Sequence, residues 1–160
     1  MADDLIPTRP EQIDAVARAC RRLVNQRALL AAGVAVVPVP GLDWLADVGV
    51  LMKVIPEINR RFGLSNEQIE RLAPDRRVVV YKALTAAGSL LAGRLVTRTL
   101  LLRSLRVVGV RLTTQQIAKF VPVAGQALSA ALTFGALRFV CEQHIRQCMA
   151  VARELHPAPP

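Results

Sequence analysis

Val36-Val37-Pro38-Val39-Pro40-Gly41-Leu42-Asp43 is the stretch whose reading decides the fold, and Phe120-Val121-Pro122-Val123-Ala124-Gly125 echoes it. Both contain Val-Pro-Val-x-Gly. Each follows helix-like sequence and precedes a helical pattern rich in small residues. Pro38, Pro40 and Pro122 lack an amide hydrogen, and each holds the residue before it in extended geometry. A helix arriving at Val36 must therefore stop. Gly41 and Gly125 then permit φ values that other residues resist. A turn facing water would carry Asn, Asp or Ser. These corners are Val, Pro and Phe, so burial is expected, either against protein or in lipid.

Upstream of the first corner, Thr8-Arg9-Pro10-Glu11 has capping-box spacing, with Pro in the first turn. Ile13, Val16, Ala17, Cys20, Leu23 and Val24 follow in three- and four-residue steps. This predicts a helix from about residue 9 to the mid-30s. From Ala28 to Val37 the pattern is apolar all round, which predicts complete burial.

Downstream, Asp43 is a good N-cap for a helix over 43–62, with Lys53, Glu57 and Arg61 spaced for ion pairs and Pro56 expected to kink it. Gly63 is a helix stop. Ser65-Asn66-Glu67-Gln68 offers a second capping box for a short helix through Leu72, and Pro74 ends it. A long helical pattern runs from about Arg76 to Arg106, uncharged from Ala83 to Gly93. Thr113-Thr114-Gln115-Gln116 caps a short helix into the second corner, and a last helix is predicted from Gln126 to about Leu155. Only 107–112 could be read as a strand. The reading is all-α: a compact bundle of about five to six helices with two apolar Pro/Gly corners. Residues 1–7 are a lead-in, 8–156 one helical domain and 157–160 a Pro-rich tail.

Composition bounds the partners. The chain has 160 residues and a formal net charge of +9, is 52% hydrophobic and only 4% aromatic. Its apolar mass is Ala, Val and Leu, which suits close helix packing. A basic balance favours anionic partners. Scattered arginines without stacking aromatics argue against nucleic acid. Cys20, Cys141 and Cys148 make no disulfide framework. Met1-Ala2-Asp3-Asp4 does not begin a secretory signal, so a reducing cytoplasm is expected.

Phe120 to Leu137 carries no charge, yet contains Pro122, Gly125, Gln126, Ser129 and Thr133; about 20 apolar residues span a bilayer. Small residues recur at four-residue spacing at Ala127, Ala131 and Gly135, which permits close helix approach in lipid or out of it. Two readings stay open: a soluble packed bundle, or a hairpin that enters or lies on a membrane with Arg at its rims.

The candidate chemistry is sparse. Cys141-x-x-His144-x-x-x-Cys148 puts three zinc-ligand types on one helix face, but a fourth ligand, Cys20 or His156, would have to approach. The alternative is two small buried thiols beside a surface imidazole. Asp43 and Asp47 read as a cap and a first-turn acid rather than a carboxylate pair. Trp44 is an interfacial anchor or ordinary packing. Arg94, Arg98, Arg103, Arg106 and Arg111 read as an acidic-lipid or phosphate face, or as a solvated one. No phosphate-binding loop of Walker type is present, so the chain is not itself a GTPase.

The run Val37 to Asp43, followed by Asp47-Val48-Gly49-Val50-Leu51-Met52-Lys53 and closed by Arg61-Phe62-Gly63-Leu64, resembles the YcjF-type family of bacterial helical domains of unknown function. It is also similar to the helical region of immunity-related GTPases. Lys119 to Gly125 fits the same pattern, and the likeness covers roughly 28–140. The resemblance implies an all-helical module, frequently membrane-associated and coupled to a GTPase, which here would be a separate partner; Pro56 departs from close superposition. The expected function is a non-enzymatic module on the cytoplasmic side of the inner membrane, peripheral or embedded, without cofactor or metal. Its contact residues would be Val37, Pro38, Val39, Pro40, Trp44, Phe120, Val121, Pro122, Arg94 and Arg98. The alternatives are a soluble cytoplasmic adaptor or homo-oligomer, and a small zinc or redox protein.

Overall fold

The computed structural model describes residues 6–34, 42–88, 92 and 122–155, with side chains described for these except at 34, 42–47, 122–130, 132 and 133. All regular structure among the described residues is helical, in the order α1 (Pro10–Val34), α2 (Leu42–Arg61), α3 (Asn66–Glu70), α4 (Pro74–Ala86) and α5 (Pro122–Glu154).

α1 opens on Pro10, a first-turn position where the missing amide is no loss, and Ile13 N–H donates to the Arg9 carbonyl at 3.0 Å. Its inner stripe is Ile13, Ala17, Cys20, Val24, Ala28 and Ala31, all buried. These positions step by three and four, so they line one side of the helix. α5 answers with Leu137, Cys141, Ile145, Cys148 and Ala152. Arg21 bridges Glu142 at 2.8 Å and Arg153 reaches Asp14 at 3.7 Å. Residue numbers rise on one helix as they fall on the other, so the pair is antiparallel. α2 packs against both through Val48, Leu51, Val54, Ile55 and Ile58.

The end of α2 follows from one residue. Gly63 takes φ 71, in the left-handed region. Its N–H donates to Arg60 O at 3.2 Å and that of Leu64 to Asn59 O at 2.8 Å, the paired bonds of a Schellman cap. Phe62 and Leu64 on either side are fully buried. Ser65 and Gln68 then form the capping box of α3, side chain to backbone in both directions. Pro74 both ends the preceding turn and supplies the first residue of α4. The Arg77 guanidinium ties α4 to α3 by donating to the carbonyls of Glu70 at 2.7 Å and Leu72 at 3.3 Å.

Three expectations change. The helix predicted from Arg76 to Arg106 stops at Ala86, because Gly88 adopts φ 64 and donates to Thr85 O at 3.1 Å; the run of Ala, Gly and Ser around it hid that stop. α5 begins at Pro122 rather than Gln126, since Pro is favoured in a helix's first turn; Val123 to Gly125 are thus helical, not part of a corner. The helix expected over 43–62 is present as α2, with Pro56 inside it. Complete burial after Ala28 does not hold: Leu29 is 62% exposed and Leu30 66%, because α2 and α5 cover one side of α1. The corner residues 36–41, and the helix and strand readings over 93–121, lie outside the described residues.

Phe62→Ala is expected to lower unfolding free energy by about 3–5 kcal/mol, the usual cost of emptying a buried aromatic site. Urea unfolding followed by circular dichroism measures it.

Candidate functional site

Of the contact residues predicted from sequence, Val37, Pro38, Val39, Pro40, Arg94, Arg98, Phe120 and Val121 lie outside the described residues. Trp44 is in the first turn of α2 and Pro122 opens α5. The Cys/His face is fully described, and it points inward.

His144 is 2% exposed and Asn59 1%. They meet between α5 and α2, His144 Nε2 lying 2.7 Å from Asn59 Oδ1. An amide oxygen can only accept, so the ring proton sits on Nε2 and Nδ1 is a bare acceptor. Nδ1 has no partner in hydrogen-bond geometry; the adjacent Gln147 amide instead meets the Gly88 carbonyl at 3.4 Å. Burial pushes the imidazole pKa down to about 4, against a weaker upward influence of Gln147. Cys148 Sγ lies 3.7 Å from His144 Nε2 and 4.0 Å from Asn59 Oδ1. The surface imidazole expected from sequence is therefore a core residue. Its partner Asn59 was invisible to spacing because it comes from another helix.

Cysteine, histidine and asparagine together invite comparison with thiol catalysis, which requires an accessible thiolate. All three cysteines are buried. Burial raises the Cys141 pKa to about 12 and pushes Cys148 up as well, with Cys20 nearby adding to the latter. Cys20 is raised to about 11 by burial, with Arg61 and Arg21 opposing. Such thiols stay protonated. Nor do they converge on a metal: no group of three or more His, Cys, Asp or Glu among the described residues could hold one, and the third position beside His144 and Cys148 is taken by an Asn. His156 lies outside the described residues. The clefts between Arg21, Asn25 and Arg138, and between Ile6, Thr8 and Leu72, are shallow, each with a cavity volume of about 10 Å³. Sites for small molecules are usually larger.

The outer surface is more informative. Leu29, Leu30 and Phe139 (53% exposed) project from the α1/α5 pair, and Val78, Val79 and Tyr81 from α4. Arg18, Arg22, Arg27 and Arg138 are exposed on the same pair. The sequence signal for this surface was there to be read: α1 carries no Asp or Glu after Asp14, and α5 none before Glu142. No helix among the described residues is long and apolar enough to cross a membrane.

Comparison of the chain with protein-family models, curated proteins and solved structures finds no match.

Asn59→Leu leaves the His144 N–H buried without an acceptor and is expected to cost about 1–3 kcal/mol. In the Asn59→Leu/His144→Leu double variant that penalty disappears, so chemical denaturation should give coupling of at least about 0.5 kcal/mol; additive losses would contradict the bond.

Acid tests the same site. The folded imidazole titrates at about 4 and the unfolded one at 6.5. Between these values the unfolded chain binds more protons, so stability is full above pH 6.5 and falls as pH drops toward 4. The expected loss is about 3 kcal/mol. Urea midpoints across that range should shift in the wild type and much less in His144→Leu.

Proposed function

We propose that the chain is a non-enzymatic helical module held peripherally on a membrane surface, where it couples to a separate partner such as a GTPase. The observation that carries this reading is the outer side of α1. It is polar over Arg18, Arg22 and Gln26, and turns apolar at Leu29 and Leu30, immediately before the Val-Pro-Val-Pro-Gly stretch. An apolar surface rimmed by arginine suits the boundary between headgroups and acyl chains. The inward-facing, protonated Cys/His cluster supports a structural rather than a catalytic role. The GTPase partner and the likeness to YcjF-type domains rest on the sequence resemblance alone. On this reading the full bundle counts five to six helices, and the residues around 36–44 and 120–125 meet the membrane or partner. The same reading assigns Arg94 and Arg98 to acidic headgroups on sequence grounds alone.

Fractionation of cells expressing the chain tests the proposal. The protein is expected in the membrane pellet and to be released by an alkaline carbonate wash, as a peripheral protein would be. Recovery as a monodisperse species in the soluble fraction would contradict it and favour an adaptor or oligomerisation domain without a lipid role.

A further inference from the structure

Resting on the membrane reading, we infer that the solvent side of the α1/α5 pair is the face that meets the bilayer, and that it selects anionic lipid. Arg18, Arg22 and Leu29 follow one outward line along α1, at spacings of four and seven, and all are exposed. Phe139 and Arg146 follow the corresponding line on α5, seven residues apart and also exposed. The Arg21–Glu142 bridge fixes the two helices side by side. Asn25 and Arg138 line one cleft, so in this antiparallel pair Phe139 stands near the level of Asn25, and Leu29 lies one turn farther along α1.

The charges on this face are unbalanced. Arg18, Arg22 and Arg138 make no ion pair or hydrogen bond among the described residues, and the carboxylates nearest them are engaged, Glu142 by Arg21 and Arg146 and Asp14 by Arg153; the other two acids of the pair, Glu11 and Glu154, are exposed and lie at its far end, where α1 begins and α5 finishes. What remains is free guanidinium beside exposed Leu and Phe. Guanidinium groups match phosphate oxygens in a fixed fork, and their aliphatic stems can lie along acyl chains while the heads stay at the phosphates. The exposed apolar side of α4, with Val78, Val79 and Tyr81, has the exposed Lys82 beside it but not the set of unpaired guanidinium groups that α1 and α5 carry. Asp75 lies in the first turn of that helix, and Arg77 is held by Glu70.

Co-sedimentation with vesicles of phosphatidylcholine, with and without phosphatidylglycerol, tests the assignment. The wild type should bind the phosphatidylglycerol vesicles and be released by high salt. Arg22→Gln/Arg138→Gln should weaken that binding about thirty-fold, at about fivefold for each cation near the surface. Phe139→Ser should weaken it further, while Val78→Ser should leave it unchanged. Circular dichroism should be unaltered in all, since every changed residue is exposed. If the wild type binds and the arginine variant binds equally well, this face is wrong and the membrane reading survives. Equal binding to pure phosphatidylcholine removes the anion selectivity. A wild type that binds neither vesicle overturns both.

Discussion

The antiparallel seam between α1 and α5 is the contact on which the rest of the described structure depends. It combines small side chains, Ala17, Cys20, Ala28 and Ala31 against Cys141, Cys148 and Ala152, with the larger Ile13, Val24, Leu137 and Ile145. The small ones let two helix backbones lie close, and dispersion grows with every added close contact. The low aromatic content of the chain is thus a feature of the packing. α2 lies in the groove this pair makes, and α4 rests against α5. Phe62 supplies bulk where α2 ends, beside a glycine that turns the chain into α3.

At the centre of that apolar body sits one polar pair. A buried imidazole is stable only as a neutral ring with its N–H satisfied, and Asn59 supplies the acceptor. The pair joins α2 to α5 through one buried hydrogen bond, His144 Nε2–H to Asn59 Oδ1 at 2.7 Å. The same burial that makes the histidine neutral keeps the cysteines protonated. A cluster with the residue types of a catalytic or zinc site therefore acts as a structural pin.

Much of the fold was legible in residues. The inner stripe of α1, the Gly63 stop and the Ser65 capping box follow from spacing and backbone chemistry acting within a few residues of one another. Other features needed distant partners. The Asn59–His144 bond joins residues 85 apart, and no local pattern announces it. The stop at Gly88 was hidden because a small-residue run reads the same whether a helix continues or ends. The exposure of Leu29 and Leu30 was misread for a different reason. An apolar run shows that a helix can be covered on every side, and says nothing of how many neighbours arrive to cover it.

The described residues give a packed interior with three buried thiols and a basic, partly apolar exterior. On the proposed reading, function lies in that exterior, and the helices exist to hold it rigid. The most direct measurement is the environment of a nitroxide attached at Phe139→Cys, with Val78→Cys on α4 as its counterpart, in protein bound to anionic vesicles. The buried native thiols stay unlabelled in the folded chain. The account predicts that the label at 139 becomes accessible to oxygen and shielded from a water-soluble relaxer, while the label at 78 remains in water. A label at 139 that stays fully water-accessible in the bound state would contradict it.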